Sequence, residues 1–318
     1  MTIPLILGTR GSQLAVTQSQ WFADVVKTST GREVELVQIT TAGDVIEGSL
    51  AALGGTGVFA TALREALLEG TCDFIVHSFK DLPTTQFPGL TVASVPVRER
   101  ANDSLCSVGG VGLTELPAGT LVGTGSPRRA AQVRRARPDL RVADIRGNVD
   151  TRLAKVARGE YGAVVLASAG LRRIGRFAEA AEEFDLSAWP TSAGQGALAV
   201  ECRTTPADEA LLSLLGSLTD AESLATSTLE REVLRQLEAG CTAPVGISAR
   251  VEGGTVILIA EVYAKQPGET IRVQRHIEMA EAALPVDQEL VAASVVSELV
   301  DHGLLRIAGI GPGTGSST

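Results

Sequence analysis

The stretch GTGSPRRAAQ at residues 123–132 carries the strongest fold signal in this sequence. An apolar segment precedes it, Ser126 suits the N-cap of a helix, and Pro127 suits the first helical position. A strand that turns directly into a helix in this way leaves backbone N–H groups unpaired at its carboxyl end. The stretch therefore predicts a parallel α/β unit with an anion-binding turn.

A similar turn occurs near the N-terminus, where GTRGS at residues 8–12 also follows an apolar segment and precedes a helical pattern. One such turn is weak evidence. Two turns in corresponding places suggest two similar lobes that face a single anion site.

Short apolar segments alternate with helical patterns through the first 200 residues, which predicts parallel α/β units. We expect the lobes to divide near residues 96–102 and again near 190–196. Helices should begin near Ser12, Val58, Ser126 and Val149. The expected strands are 3–7, 33–39, 73–77, 90–95, 120–124, 141–145, 162–167 and 197–202.

The pattern changes after residue 218. A long helix at 221–237, three alternating strands at 245–251, 256–264 and 271–279, and a closing helix at 286–304 predict a small α+β domain. The expected division is a first α/β lobe at 1–96 and 197–218, a second α/β lobe at 97–196, an α+β domain at 219–309, and a flexible tail at 310–318.

Composition places the chain among globular proteins, with 318 residues, 44% of them hydrophobic and 20% charged. A net charge of −9 and only 3% aromatic residues disfavour nucleic acid, which needs a broad basic surface and stacking rings. Apolar runs stay well short of the roughly 20 residues of a membrane span. The segment TIPLIL meets Arg10 too soon for a secretory signal, so we expect a cytoplasmic protein.

Arginine is concentrated at residues 123–153 of this acidic chain. Arg128, Arg129, Arg146 and Arg152 each lie near a glycine or a predicted helix start, where guanidinium and backbone N–H groups can converge on a carboxylate or phosphate. A plainer interpretation also exists, because exposed helix faces are commonly charged. We expect that plainer situation for the arginines at 134, 135, 137 and 141.

The segment HSFKDLPT at residues 77–84 follows an apolar strand, so its polar side chains should emerge at the strand's carboxyl end. Lys80 and Asp81 can form an ordinary loop salt bridge. Alternatively, Asp81 stabilises a cation or moves a proton while Lys80 binds substrate.

The four cysteines are widely spaced and form no CxxC pair. Cys72, Cys106 and Cys202 lie in apolar or strand-like surroundings, and we expect inert core thiols there. Cys241 follows a helix in a segment of Gly, Thr and Pro, where a thiol would be accessible. The three histidines show no metal-ligand spacing with these cysteines, so no metal site is expected.

Seven segments together resemble the porphobilinogen deaminase family, whose members are also called hydroxymethylbilane synthases. In chain order they are GTRGSQLA (8–15), HSFKDLPT (77–84), GTGSPRRAAQ (123–132), IRGNVDTRL (145–153), AGLRRIG (169–175), GQGALAVECR (194–203) and LEAGCTAPVG (237–246). The resemblance spans essentially the whole chain. It implies an α/β fold of two periplasmic-binding-protein-like lobes and a small α+β third domain with a three-stranded sheet and helices.

The resemblance also implies a transferase of tetrapyrrole (haem) biosynthesis. Such an enzyme deaminates four porphobilinogen molecules, polymerises them head to tail on a covalently bound dipyrromethane primer, and releases linear hydroxymethylbilane by hydrolysis. Porphobilinogen would be its partner, without nucleic acid or membrane, and the enzyme would be a monomer. Because each porphobilinogen carries an acetate and a propionate, the arginines would meet carboxylates.

The family's functional residues can be carried over onto matching positions. Asp81 is identified with the catalytic aspartate, and Cys241 with the cysteine that holds dipyrromethane through a thioether. The implied cofactor contacts are Ser78, Lys80, Thr124, Ser126, Arg128 and Arg129. The implied contacts of the substrate or elongating chain are Arg10, Ser12, Arg146, Arg152 and Arg173.

The chain departs from the family pattern at a few positions. Ile6 stands where members often have arginine, and Ala52 and Thr56 lie in a segment that often carries lysine. A hypothesis of a different class also remains open, since a two-lobed fold suits a solute-binding or sensing protein for a carboxylate ligand.

Overall fold

A computed structural model describes residues 3–40, 57–239, 243–264 and 268–312 of the chain. These residues divide into two units, Met1–Glu99 with Ala197–Leu224, and Arg100–Gly196 with Ala225–Thr318. The predictions for Cys241, Ala52, Thr56 and most of the tail lie outside the described residues. The finer division into three domains stays a prediction.

The first unit is built on a five-stranded sheet. Numbered along the chain, its strands are β1 (Leu5–Thr9), β2 (Val34–Gln38), β3 (Phe74–Ser78), β4 (Leu90–Ser94) and β10 (Leu198–Arg203), in the order β2-β1-β3-β10-β4. β1 pairs in parallel with β2 and β3, whereas β10 runs antiparallel to β3 and β4. The helices of this unit are α1 (Gln13–Thr30), α2 (Gly57–Leu68) and α6 (Glu209–Gly216).

The second unit contains a sheet with the same arrangement. Its strands are β5 (Asp103–Ser107), β6 (Leu121–Gly123), β7 (Arg141–Ala143), β8 (Ala163–Ala167) and β9 (Glu182–Glu183), in the order β7-β6-β8-β5-β9. As in the first sheet, three parallel strands are followed by an antiparallel strand and then by a fifth that is parallel to the first three. The helices α3 (Pro127–Ala136), α4 (Val149–Ala157) and α5 (Ser168–Arg173) accompany it. The prediction of two similar α/β lobes is confirmed.

The last part of the second unit is an antiparallel sheet of β11 (Val245–Glu252), β12 (Thr255–Tyr263) and β13 (Thr270–Glu278). The helices around it are α7 (Ala221–Gln236), α8 (Met279–Ala282), α9 (Pro285–Asp301) and α10 (Leu304–Ala308). Buried side chains of the sheet and helices, such as Leu258, Leu229 and Val295, form one core. The α+β prediction is confirmed. The closing helix expected at 286–304 is present but ends at Asp301, because Gly303 has φ +97° and separates it from a second, short helix.

The two glycine turns occupy corresponding positions, at the ends of β1 and β6. A Cβ on Gly8 would lie 2.8 Å from the sulfur of Cys72, and a Cβ on Gly123 would lie 2.9 Å from the ring of Tyr161. Both distances are too short for a side chain, so each strand is packed as closely as only glycine allows.

The eight strands expected in the α/β part are all present, within two residues at each end. The sequence patterns missed β5 and β9. Within the described ranges, the helices are too short or too polar to cross a membrane.

Candidate active site

In the first unit, β3 leads directly into the segment that carries Lys80 and Asp81. Residues Phe79–Asp81 form a short 3-10 turn, and the N–H of Phe79 donates to the carbonyl of Ala197 across 3.0 Å. Phe79 and Leu82 are buried in one apolar cluster, whereas Lys80 is half-buried and Asp81 is exposed. Apolar anchors on both sides therefore hold the turn against the sheet and leave the carboxylate of Asp81 open to solvent.

The other predicted residues of the first unit lie at the ends of β1 and β3, two strands that pair in parallel. Ser12 caps α1, its hydroxyl accepting from the N–H of Ala15 across 3.4 Å, and half-buried Arg10 lies two residues before it. Ser78 hydrogen-bonds to Gln18 of α1, with 3.1 Å between Oγ and Nε2. The fold thus places Arg10 and Ser12 at the same edge of the sheet as Ser78, Lys80 and Asp81.

In the second unit, the GTGSP turn forms as the sequence predicts. The hydroxyl of Thr124 accepts from the N–H of Ser126 across 3.1 Å, and the hydroxyl of Ser126 accepts from the N–H of Arg129 across 3.4 Å. Pro127 is the first residue of α3. The hydrogen bonds of this turn join residues no more than three apart, which is why the turn could be predicted from the sequence.

Arg128 and Arg129 lie in the interior, with 2% and 7% of their surfaces exposed. Nη1 of Arg128 donates to Oδ2 of Asp103 across 2.8 Å, and Nη2 of Arg129 donates to Oδ1 across 2.6 Å. Burial raises the pKa of Asp103, but the two guanidinium groups lower it more, so that it lies well below its ordinary value. One ionised carboxylate therefore faces two buried cations, which leaves a net positive charge.

Further side chains complete the surroundings of Asp103. Trp189 donates to Oδ2 from Nε1 across 3.2 Å, and Gln195 donates to Oδ1 from Nε2 across 2.8 Å. Sequence reasoning gave no role to Asp103, which begins a strand that the patterns missed, or to Gln195, although Gln195 lies in the segment GQGALAVECR. Within the described part of the chain, Nε and Nη2 of Arg128 and Nε of Arg129 are buried without a hydrogen-bond partner. A buried donor left unpaired costs about 1–3 kcal/mol, so these groups suit the oxygen of an anion.

The positive charge of Arg152 interacts with those of Arg129 and Arg146. Burial lowers the pKa of Arg152, and the charges of Arg129 and Arg146 lower it further, although Asp144 opposes them. Arg152 is half-buried and donates to the carbonyl of Gly147 across 2.8 Å. Arg146 is exposed and pairs with Asp144 at 2.6 Å. The three arginines create a local excess of positive charge.

Arg173, at the end of α5, is half-buried and donates from Nη2 to the carbonyl of Gly196 across 2.6 Å. Its guanidinium therefore contacts the backbone of the segment GQGALAVECR. Among the arginines expected on a solvated face, Arg134 and Arg141 are exposed. For Arg137 the expectation is wrong. Arg137 is half-buried and donates to the carbonyls of Leu113 and Leu116 at 2.7 and 2.9 Å.

The three described cysteines are buried core thiols, as expected. Burial raises the pKa of Cys72 and of Cys202 to about 11 and that of Cys106 to about 12. Thiols with such values are poor nucleophiles at neutral pH. Among the described residues, His, Cys, Asp and Glu side chains form no cluster of three or more that could hold a metal ion.

Comparison with known proteins identifies the family. A family model described as "Porphobilinogen deaminase, dipyromethane cofactor binding domain" matches residues 5–212, and "Porphobilinogen deaminase, C-terminal domain" matches residues 224–289. The porphobilinogen deaminase of Leifsonia xyli subsp. xyli is 48% identical over 316 residues, which cover 95% of each chain. That of Thermobifida fusca is 44% identical over 306 residues, covering 96% of this chain and 94% of its own.

One similar solved structure is immunogenic lipoprotein A from Vibrio vulnificus, with a TM-score of 0.40 and 12% identity over 67% of this chain and 94% of that chain. At that TM-score the similarity does not bear on function.

The family matches define the class as a transferase of tetrapyrrole biosynthesis. More particularly, the chain belongs to the porphobilinogen deaminase family. The predicted function and the dipyrromethane cofactor are confirmed at this level, and the solute-binding or sensing alternative is not favoured. Cys241 lies outside the described residues, so its covalent role stays a prediction.

Proposed function

We propose that this chain condenses four porphobilinogen molecules into linear hydroxymethylbilane, with Asp81 as the catalytic carboxylate and Cys241 as the anchor of dipyrromethane. One observation carries the proposal. The carboxylate of Asp81 is exposed on a short turn between two buried anchors, Phe79 and Leu82, at the carboxyl end of β3. A rigid turn of this kind holds a reactive group in place while keeping it accessible.

The residues of the second unit fit a cofactor that bears carboxylates. Arg128 and Arg129 retain buried N–H groups without partners among the described residues, and their charge exceeds that of Asp103. When bound, dipyrromethane supplies the pyrrole carbon to which the first porphobilinogen unit is joined. Together with Ser78, Lys80, Thr124 and Ser126, the two arginines would donate to its acid side chains.

The role of Asp81 follows from the chemistry of the substrate. Loss of ammonia from porphobilinogen needs a proton on the leaving nitrogen and leaves positive charge on the pyrrole. Joining two rings then releases a proton from carbon. An ionised carboxylate beside the pyrrole nitrogen stabilises that positive charge, and it can carry protons between these two steps.

Each porphobilinogen that is added brings two more carboxylates, and the arginines offset the repulsion among these carboxylates. A charge-assisted hydrogen bond contributes about 1.5–3 kcal/mol. Arg146 and Arg152 are exposed and half-buried, respectively, so they are better placed to meet an incoming acid than fully buried Arg128. Arg10, Ser12 and Arg173 would contribute further donors to the substrate or the growing chain.

We further propose that the enzyme acts as a cytoplasmic monomer with porphobilinogen as its only partner. The net charge of −9 supports the exclusion of nucleic acid. Analytical ultracentrifugation of the purified protein tests the monomer, and a dimer at micromolar concentration would contradict it.

The deciding experiment combines intact mass with turnover. The wild-type protein should carry an adduct of two pyrrole units that is absent from Cys241→Ser. Asp81→Asn should keep the adduct and lose nearly all turnover. Asp301→Asn, which changes an exposed aspartate at the end of α9 in the same way, is the matched control and should remain fully active. An active wild-type protein without the adduct, or normal turnover in Asp81→Asn, would overturn the corresponding assignment.

A further inference from the structure

Three ionisable side chains lie buried together in the first unit, and the reaction described above does not use them. Arg64 donates to both carboxylate oxygens of Glu201, from Nε to Oε2 across 2.8 Å and from Nη2 to Oε1 across 2.6 Å. Nε2 of His77 lies 3.1 Å from Oε2 of the same carboxylate. The exposed fractions of Arg64, His77 and Glu201 are 6%, 8% and 3%.

The strand register explains why these residues meet. His77 of β3 is opposite Ala199 of β10, and Glu201 is two residues further along β10. Side chains two residues apart on a strand share a face, so His77 and Glu201 are diagonal neighbours on one face of the sheet. Helix α2 supplies Arg64.

The cluster also reaches the chain that follows Asp81. The guanidinium carbon of Arg64 lies 4.9 Å from the centre of the Phe87 ring, between the 3-10 turn and β4. Such a contact of a cation with a ring face is attractive. The cluster therefore links α2, β3 and β10 to the segment that follows Asp81 and precedes β4.

A buried ion pair is an expensive way to stabilise a fold, since apolar side chains of the same volume do so equally well or better. Burial raises the pKa of Glu201, but His77 and Arg64 lower it more, to about 2. The carboxylate is therefore ionised at neutral pH, and two hydrogen bonds fix its geometry with Arg64 while His77 packs against it. Besides the stability that the ionised carboxylate contributes, such a cluster fixes the direction of the groups that it holds.

We propose that Glu201, Arg64 and His77 are positioning residues for Asp81, because they fix the direction in which the turn at 79–81 leaves the sheet. The inference rests on the proposed role of Asp81. His77 is one residue before Ser78, whose backbone pairs with Leu198, and Phe79 continues this pairing through its bond to Ala197. A shift of the backbone at His77 would therefore reach the turn through only one intervening residue, Ser78. A displacement of about 1 Å at a reacting group can lower a rate about a hundredfold.

The test uses His77→Leu and Glu201→Gln, with Asp208→Asn as the matched control. Like Glu201, Asp208 forms a salt bridge with an arginine: its Oδ1 lies 2.8 Å from Nη2 of Arg203, which belongs to β10. That arginine also donates to the carbonyl of Leu67 in α2 across 2.7 Å, but it lies at the other end of the strand. The control therefore breaks a buried carboxylate–arginine pair on the same strand, β10, at the end away from the turn.

Positioning predicts that kcat falls about tenfold or more in His77→Leu and Glu201→Gln, with KM changed less than about twofold and the dipyrromethane adduct intact. His77→Gln, which restores a polar group beside Glu201, should recover most of kcat. Asp208→Asn should keep kcat within about twofold of wild type even where its melting temperature falls.

A purely structural cluster would lower kcat no more than Asp208→Asn does, and that result would overturn the inference. If Glu201→Gln does not fold, His77→Leu decides, because it leaves the Arg64–Glu201 pair intact. Asp81→Asn is assayed in parallel, so that a failure of the proposed function can be distinguished from a failure of this inference. Normal turnover in Asp81→Asn removes the proposed function, whereas an inactive Asp81→Asn beside an unaffected His77→Leu removes this inference alone.

Discussion

Nη2 of Arg129 donates to Oδ1 of Asp103 across 2.6 Å, and both side chains are buried. The same carboxylate accepts from Arg128, so a single aspartate orients both arginines that we assign to the cofactor.

Asp103→Asn should unfold more easily and load less cofactor. The substitution removes the anion that balances two buried guanidinium groups, and breaking a buried ion pair typically costs about 3–5 kcal/mol. Urea unfolding measures the stability, and intact mass measures the fraction that carries the adduct. Glu160→Gln, which breaks an exposed pair with Arg158 in the same unit, should change neither. Equal effects of the two substitutions would show that Asp103 does not organise the arginines.

The stabilising contribution of Glu201 should be lost in acid. The pKa of Glu201 is lowered from 4.5 to about 2 in the folded chain, so its contribution is complete above about pH 5 and disappears as the pH falls towards 2. The difference in free energy of unfolding between wild type and Glu201→Gln should therefore shrink over that range. Urea unfolding at pH 7, 5 and 3 measures it. A difference that does not change with pH would show that the carboxylate is not held ionised.

Arg152→Gln should stall elongation, because it removes a half-buried cation from the group that includes Arg129 and Arg146. Loss of one charge-assisted bond of about 1.5–3 kcal/mol predicts at least about a tenfold weaker hold on the growing chain. Mass spectrometry during turnover should show enzyme-bound intermediates that accumulate. Arg158→Gln, just after the end of α4, is the control and should give the wild-type distribution. If both variants give the wild-type distribution, Arg152 is not a contact of the chain.

The thiols of Cys72, Cys106 and Cys202 should not react in the native protein. Burial raises their pKa values to about 11, 12 and 11, so only about one thiol in a thousand or fewer is ionised at pH 8. Cys241→Ser, treated with a disulfide reagent, should therefore show no rapid thiol release until it is denatured, when three thiols should react. Rapid release from the folded variant would contradict the burial of these residues.

Much of the α/β framework could be predicted from the sequence because local patterns determine it. The caps at Ser12 and Ser126 depend on hydrogen bonds within three residues, and both form as expected. β5 was missed for the opposite reason. It begins with Asp103 and Ser104, polar residues that are typical of a loop, and both are fully buried. Their burial is stabilised by distant partners, including Arg128 and Ser168.

The difference between features set by local sequence and features set by distant partners also applies to the candidate active site. Asp81 and the arginines of the glycine turn belong to continuous segments, so the family resemblance could indicate them. The pair of Arg64 and Glu201 joins residues 137 positions apart, and only the antiparallel register of β3 and β10 brings His77 beside them. Their roles could not be predicted without the fold, because each looks like an ordinary charged residue in its own segment.

The position of β10 between β3 and β4 affects how the first sheet can form while the polypeptide is being synthesised. β4 pairs with β10, and β10 is made only after the whole of residues 100–196. A nascent chain that has reached β4 therefore lacks the strand that links it to the rest of the first sheet, and a sheet edge left open in this way is prone to pair with other chains. On the ribosome, the sheet of the second unit can close first. The turn at 79–81, whose Phe79 also bonds to Ala197 at the start of this late segment, acquires its final form only after residues 100–196 have been made.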